Sequence, residues 1–280
     1  MHFHSPLRYP GGKARISKYI MKLIEKNNLN DAVYIEPFAG GGGLALNLLY
    51  NEYVSKIILN DLNKSIFSFW YSTLNYNEEF CKMIRNTPIN IEEWEKQKKI
   101  QKKKENANLL DLGFSTFFLN RTNRSGIIDG GVIGGTGQNG KWKIDARFNK
   151  DELIKRIELV YQYADRIEIF NLEAMHFIRE ISKKNSRKSL FFIDPPYYEK
   201  GRYLYENYYI SRDHEKLYEV VSNIKNSWIV TYDKNQKISE MYSAYRQKEY
   251  TLNYSVSDNK KGVEIMIFSP DLSIPYKKVT

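Results

Sequence analysis

Cysteine is nearly absent from this chain: Cys81 is the only one in 280 residues. No intramolecular disulfide can form, and metal sites built on several thiolates are excluded. A reducing cytoplasm is the expected compartment. Histidine is scarce too, with four in all, and the pair in the opening "MHFH" reads as incidental. His176 and His214 sit in helical stretches, and no metal is expected. No apolar run approaches the ~20 residues that cross a bilayer, and "MHFHSPLRYP" does not read as a signal peptide. Acidic residues are outnumbered, 33 against 43 Lys and Arg, giving a formal net charge of +10. That balance points to a polyanionic partner, nucleic acid ahead of an anionic membrane surface, since no basic amphipathic anchor stands out. Plentiful, by contrast, are hydrophobic residues at 42%, enough for one large α/β core, and tyrosine, which numbers 22.

The first 75 residues alternate in a β/α rhythm. "KARISKYIMKLIEKN" has helical apolar spacing, "AVYIEPFAGGGG" is a strand running into a glycine loop and a helix, and "KIILN" is a second buried strand. The rhythm then breaks. "IEEWEKQKKIQKKKEN" carries six lysines in nine positions and reads as a solvated helix face, and "LLDLGFSTFFLNR" reads as an apolar helix. Residues 122–147 are glycine-rich and basic, and a loop this long is functional or disordered. Strands and helices resume with a helix near 150–163, "DRIEIF", "LEAMHFIREI", "SLFFID", a helix near 213–225 and "SWIVTYD". "YRQKEYTLNYSV" and "GVEIMIFSP" then form a hairpin. The expected architecture is a parallel α/β sheet with helices on both faces. It is assembled from residues 1–77 and 161–280 and interrupted by a helical and loop insertion at 78–160.

Chemistry concentrates where strands end. "EPFAGGGG" lies between strand and helix, where an open α/β sheet binds ligands. It lacks the lysine and hydroxyl of a phosphate loop and is not a clean G-x-G-x-x-G. Asp61 ends the next strand, placed either to accept ribose hydroxyls or to cap the following helix. A dinucleotide and S-adenosylmethionine both satisfy this pair of features. "DPPY" at 194–197 decides between them. The N6 lone pair of adenine is delocalised into the ring. An Asp194 oxygen and the Pro195 carbonyl can each accept one N6–H and turn that pair toward a sulfonium methyl. Pro195 and Pro196 rigidify the loop without adding donors, and Tyr197 offers a ring for stacking. A base held this way has left the duplex. "YENYY" (205–209) reads either as a lid or as a surface loop.

Seven blocks, "RYPGGK" (8–13), "EPFAGGGG" (36–43), "ILNDLN" (58–63), "FFLNR" (117–121), "NLEAM" (171–175), "DPPY" (194–197) and "IVTYD" (229–233), resemble in kind and order those of the Dam-like adenine-N6 DNA methyltransferases. The resemblance spans nearly the whole chain. It implies a Rossmann-like S-adenosylmethionine methyltransferase sheet with a helical DNA-recognition insertion. It also implies that Tyr9 and Lys13 border the cofactor, that Glu36, Pro37, Phe38, Ala39, Gly40 and Gly41 wrap its methionine part, and that Asp61 holds its ribose. Asn171 and Leu172 would lie beside its adenine, at a point where the family usually has an acid. Asp194 would meet both the cofactor and the target amine, with Tyr197 against the flipped base. Asn120, Arg121, Asn123, Arg124 and Ser125 would read base edges. Lys141, Lys143 and Arg147 would meet phosphates, with Trp142 either a wedge or a core anchor. Some relatives carry a gap-filling aromatic residue where this chain has Arg124.

The expected activity is transfer of a methyl group from S-adenosylmethionine to N6 of a flipped adenine at a specific site in double-stranded DNA. A cognate restriction endonuclease acting on the same site is a natural partner. Cytosine-N4, RNA or protein-amide methylation would use the same scaffold. A non-catalytic DNA-binding module would not need Asp61, Asp194, Tyr197 and the glycine loop together. Cytosine-C5 chemistry is excluded, because Cys81 lies in "EEFCKMIR" and not in a Pro-Cys pair.

Overall fold

The computed structural model describes residues 5–9, 12–184, 188–198, 209–253 and 261–279. His2 and His4, Pro10 and Gly11 of "RYPGGK", residues 205–208 of "YENYY" and the turn of the final hairpin lie outside the described residues. In chain order the elements are a 3-10 turn (Lys13–Ile16), α1 (Ser17–Lys26), β1 (Ala32–Glu36), α2 (Gly43–Tyr50), β2 (Val54–Asn60), α3 (Lys64–Asn75), α4 (Asn77–Asn86), α5 (Ile91–Lys102) and α6 (Leu109–Thr122). They continue with α7 (Lys150–Gln162), β3 (Ile167–Phe170), α8 (Ala174–Lys184), β4 (Ser189–Ile193), α9 (Ser211–Asn223), β5 (Ser227–Asp233), a short helix (Gln236–Met241), β6 (Arg246–Asn253) and β7 (Lys261–Phe268).

The chain forms two compact units. The first comprises residues 12–62 and the described residues from 166 onward. Its seven-stranded sheet has the order β3-β2-β1-β4-β5-β7-β6, parallel except that β7 runs antiparallel to both its neighbours. This is the expected Rossmann-like arrangement. From β1 the chain steps outward through β2 and β3, then returns to β4 on the other side, so the order reverses between β1 and β4. Crevices open at the carboxyl ends of strands at such a reversal. The strand sequences explain the burial: "SLFFI" of β4 is enclosed throughout, as parallel strands covered by helices on both faces must be. Tyr19, Ile20, Leu23 and Ile24 line one stripe of α1 and turn it onto the sheet's unit. Phe177, Ile178 and Ile181 of α8 pack in one core with Leu217 and Val221 of α9 and Ile35, Phe191 and Val230 of the strands.

The second unit comprises residues 5–9 and 63–165. It begins fifteen residues earlier than the break in the β/α rhythm at residue 78. The reason is packing: α3 carries Phe69, which stacks on Phe117 of α6 at 6.1 Å and meets Phe80 of α4 edge-on at 6.0 Å. Phe148 closes the same cluster against Phe117 and Phe118. The α3–α6 crossing is so close that a Cβ on Gly113 would lie 2.5 Å from the Ser68 carbonyl oxygen. The glycine-rich stretch is folded, not irregular. A bridge pairs Asn123 with Val132, and Gln138 donates to the carbonyls of Ile133 and Gly135 while accepting from the Ile144 amide.

Candidate active site

Within the first unit, the expected residues gather where β1, β2, β3 and β4 end. Asn60, enclosed at the end of β2, ties three segments together. Its amide donates to the carbonyls of Pro37 and Leu172, both at 3.0 Å, and its Oδ1 accepts from the Leu172 amide at 2.9 Å. Asp61 does not cap α3; Asn63 does, accepting from the Ser65 amide. An Asp61 carboxylate oxygen instead accepts from the Gly40 amide at 2.9 Å. Gly40 stands at φ 47°, in the left-handed region where glycine has no Cβ penalty. Asn171 spends its side-chain amide on the carbonyls of Asp61 (2.7 Å) and Leu62 (3.0 Å). The Glu36–Gly41 loop, Asp61 and Asn171–Leu172 are thus one hydrogen-bonded edge, with Asn171 bracing it.

At the neighbouring strand end, Asp194 is gripped on both oxygens. Lys13 Nζ donates to one at 2.7 Å, and Thr231 Oγ1 to the other at 2.6 Å. Lys13 is buried, donates also to the Tyr197 hydroxyl at 3.0 Å, and stands 3.6 Å from a Glu264 oxygen. Tyr197 and Tyr250 each donate to one oxygen of Glu264, which is fully enclosed. Burial opposes the charge on Lys13, but Asp194 and Glu264 beside it outweigh that and hold the ammonium well above its usual pKa. Burial lifts Asp194 above the usual carboxylate range, with Glu264 pushing the same way and Lys13 and Thr231 opposing. Burial likewise raises Glu36 to about 8, aided by the charge of Asp194 and opposed by hydrogen bonds from Tyr34 and the Ala45 amide. Pro195 and Pro196 are buried after β4. Tyr197 is only 3% exposed in this conformation, and its hydroxyl belongs to the Lys13–Glu264 network.

The second unit holds the residues expected to read bases. Asn120, Arg121 and Asn123 are buried and occupied by their own unit. Asn120 accepts from the Arg8 amide and donates to the Arg8 and Gly126 carbonyls. Arg121 donates to the carbonyls of Ser5 and Pro6. Asn123 accepts from the Trp94 indole and donates to the carbonyls of Ile127 and Ile128. Asn120 and Arg121 face inward from α6, and Asn123 caps its end. Arg124, Lys141, Lys143 and Arg147 are exposed, and Ser125, half-buried, takes a left-handed φ of 56°. Trp142 is no core anchor: it is 61% exposed, with Lys141 and Arg147 each 5.9 Å from its ring. Tyr9 also falls in this unit.

The family model of the D12 class N6 adenine-specific DNA methyltransferases matches residues 9–256. The chain belongs to this family. It is therefore an enzyme that methylates adenine N6 in DNA, with S-adenosylmethionine as methyl donor. No curated protein matches the chain. Among solved structures, an S-adenosylmethionine-dependent methyltransferase from Agrobacterium tumefaciens is 9% identical with a TM-score of 0.45, covering 93% of this chain and 63% of that one. The rRNA methyltransferase aviRa from Streptomyces viridochromogenes is 11% identical with a TM-score of 0.44, covering 94% and 87%.

The methyltransferase's sheet edge fits its cofactor in donor chemistry. S-adenosylmethionine presents an ammonium and two ribose hydroxyls, all donors, and Glu36 and Asp61 are acceptors at adjacent strand ends. Asn60, Thr231, Tyr250 and Glu264 join these networks although the sequence alone does not assign them a role there. Thr231 lies within "IVTYD". Glu264 is the one acid in "GVEIMIF", and an acid in an otherwise apolar strand was the available signal.

Proposed function

We propose that the enzyme methylates a flipped adenine at a specific site in double-stranded DNA, with Asp194 as the residue that engages the target amine. The observation carrying this reading is the grip on Asp194: both oxygens are fixed, by Lys13 and Thr231, at the reversal between β1 and β4. A carboxylate oriented this way before the base arrives loses little freedom on engaging it. Glu36 and its loop would hold the methionine part of the cofactor, and Asp61 the ribose. Bound S-adenosylmethionine supplies a methyl group on a sulfonium sulfur, a leaving group that departs with its bonding pair. Asp194 accepts one N6–H and the Pro195 carbonyl the other, which localises the nitrogen lone pair. Asp194 is then the base that takes the proton N6 must lose once it carries four bonds. Tyr197 would stack on the base only after its ring is uncovered, and otherwise serves to hold Lys13 and Glu264 in place.

In the second unit, Arg124, Lys141, Lys143 and Arg147 with Trp142 form the surface best suited to DNA, because exposed cations meet phosphates and an exposed indole can stack on a base. A cytoplasmic enzyme paired with a restriction endonuclease of the same specificity is consistent with the composition and reaction. Among the described residues no helix is long and apolar enough to cross a membrane. Asp194→Ala is expected to lower methyl transfer by at least about 10³-fold, the scale of losing a preorganised polar contact to the reacting atoms, with DNA affinity within about twofold. Long-read sequencing of DNA from cells expressing the wild-type chain should show N6-methyladenine in one short motif. Full modification by the variant would remove Asp194 from the chemistry.

A further inference from the structure

The assignment of Asp194 leaves a second buried carboxylate without a role. Glu264 lies on β7, is fully enclosed, and accepts on both oxygens, from the Tyr197 hydroxyl and from the Tyr250 hydroxyl. A carboxyl group that accepts on both oxygens has no need of its own proton. Lys13 lies between it and Asp194, donating to Asp194 at 2.7 Å and standing 3.6 Å from Glu264. Lys13 also donates to the Tyr197 hydroxyl, which donates on to Glu264, so a polarised chain runs from lysine through tyrosine to the acid. A single ammonium thus stands beside two acids.

We propose that Glu264 is a positioning residue for methyl transfer: by sharing Lys13 and anchoring Tyr197, it leaves Asp194 with uncompensated negative charge facing the reacting nitrogen. With Lys13 as its sole neighbour, Asp194 would form a neutral pair, a poorer acceptor for an amine that becomes cationic as it is methylated. Glu264 restores that acceptor strength without touching the base. The inference rests on the assignment of Asp194 above. Among the described residues, the titratable groups around Asp194 are Lys13 on the 3-10 turn, Tyr34 and Glu36 on β1, Tyr197 after β4, Tyr232 on β5, Tyr250 on β6 and Glu264 on β7. Lys13 is the only cation among these described groups. Glu264 therefore sets how far that one positive charge is divided. The direction agrees with Glu264 raising the pKa of Asp194.

The test is made first on the free protein. With ¹³C-labelled aspartate, the carboxyl signal missing from Asp194→Asn identifies Asp194, and its titration is followed in wild type, Glu264→Gln and Tyr250→Phe. Glu264→Gln is expected to move the Asp194 midpoint to lower pH. Tyr250→Phe removes a hydrogen bond from Glu264 and leaves its charge, and is expected to move the midpoint upward. Opposite shifts are a signature that a merely structural role would not give, and the tyrosine variant keeps the test open if the glutamine variant fails to fold. In single-turnover methylation of unmodified genomic DNA, Glu264→Gln should slow transfer about tenfold, less than the 10²- to 10³-fold typical of a group that touches the transition state. The acid limb of its pH profile should shift to lower pH. Unmoved Asp194 midpoints in both variants would overturn the inference. Full activity in Asp194→Asn would instead overturn the reading on which it rests.

Discussion

Glu36 ends β1 as an enclosed carboxyl group whose pKa burial has raised to about 8. Its unfolded value is near 4.5, so folding takes up a proton at neutral pH. The ligand-free protein should therefore lose stability as pH rises from about 4.5 to about 8, and level off above. An ammonium group bound at Glu36 would require the carboxylate and expel that proton. Affinity for S-adenosylmethionine measured by calorimetry should then rise about tenfold per pH unit between roughly pH 5.5 and 7.5. Glu36→Gln should flatten the rise; an equally steep rise in that variant would place the ammonium elsewhere. The positions of Glu36, Asp61 and Asp194 at strand ends are legible in the sequence because each ends an apolar run. The surroundings of Asn120, Arg121 and Asn123 are not, because their polar groups satisfy carbonyls inside their own unit. Sequence spacing could not pair Lys13 with Glu264, because only the sheet order brings β7 beside β5.

At the scale of elements, the close crossing of α3 and α6 is an exacting contact in the helical unit. Gly113→Ala would gain about 1 kcal/mol in helix propensity. The added methyl group, 2.5 Å from the Ser68 carbonyl oxygen, must force the two helices apart. Overpacking of this kind costs up to about 3 kcal/mol, so a net loss of about 2 kcal/mol is expected in chemical denaturation, and a stabilised variant would mean that the helices yield freely. The strands were legible from buried runs, and the helices from their apolar period. The boundary of the helical unit was not. α3 reads as the next helix of a β/α repeat, and only the aromatic packing of Phe69 on Phe117 assigns it to the other unit.

For the molecule as a whole, the +10 charge is distributed in a way that makes DNA binding measurable by parts. Each phosphate contact contributes a salt slope of about −0.9 in log K against log salt on duplex DNA. Replacing both Lys141 and Arg147 with alanine should reduce the slope by about 2 in anisotropy titrations, without altering the site methylated. An unchanged slope would move the phosphate contacts to other cations. Trp142 supplies a second readout, since Trp70, Trp94 and Trp228 are buried and it alone is open to quenching. Quenching by DNA that disappears in Trp142→Phe would place the indole against the nucleic acid.

Lys13 precedes β1 and Glu264 lies on β7, yet they stand 3.6 Å apart. During translation the lysine leaves the ribosome long before the acid beside it, and β7 takes its place between β5 and β6 only after both of those strands have emerged. A nascent chain that has not reached β7 therefore holds Lys13 without Glu264, and the pair can form only after synthesis has passed the last strand of the sheet.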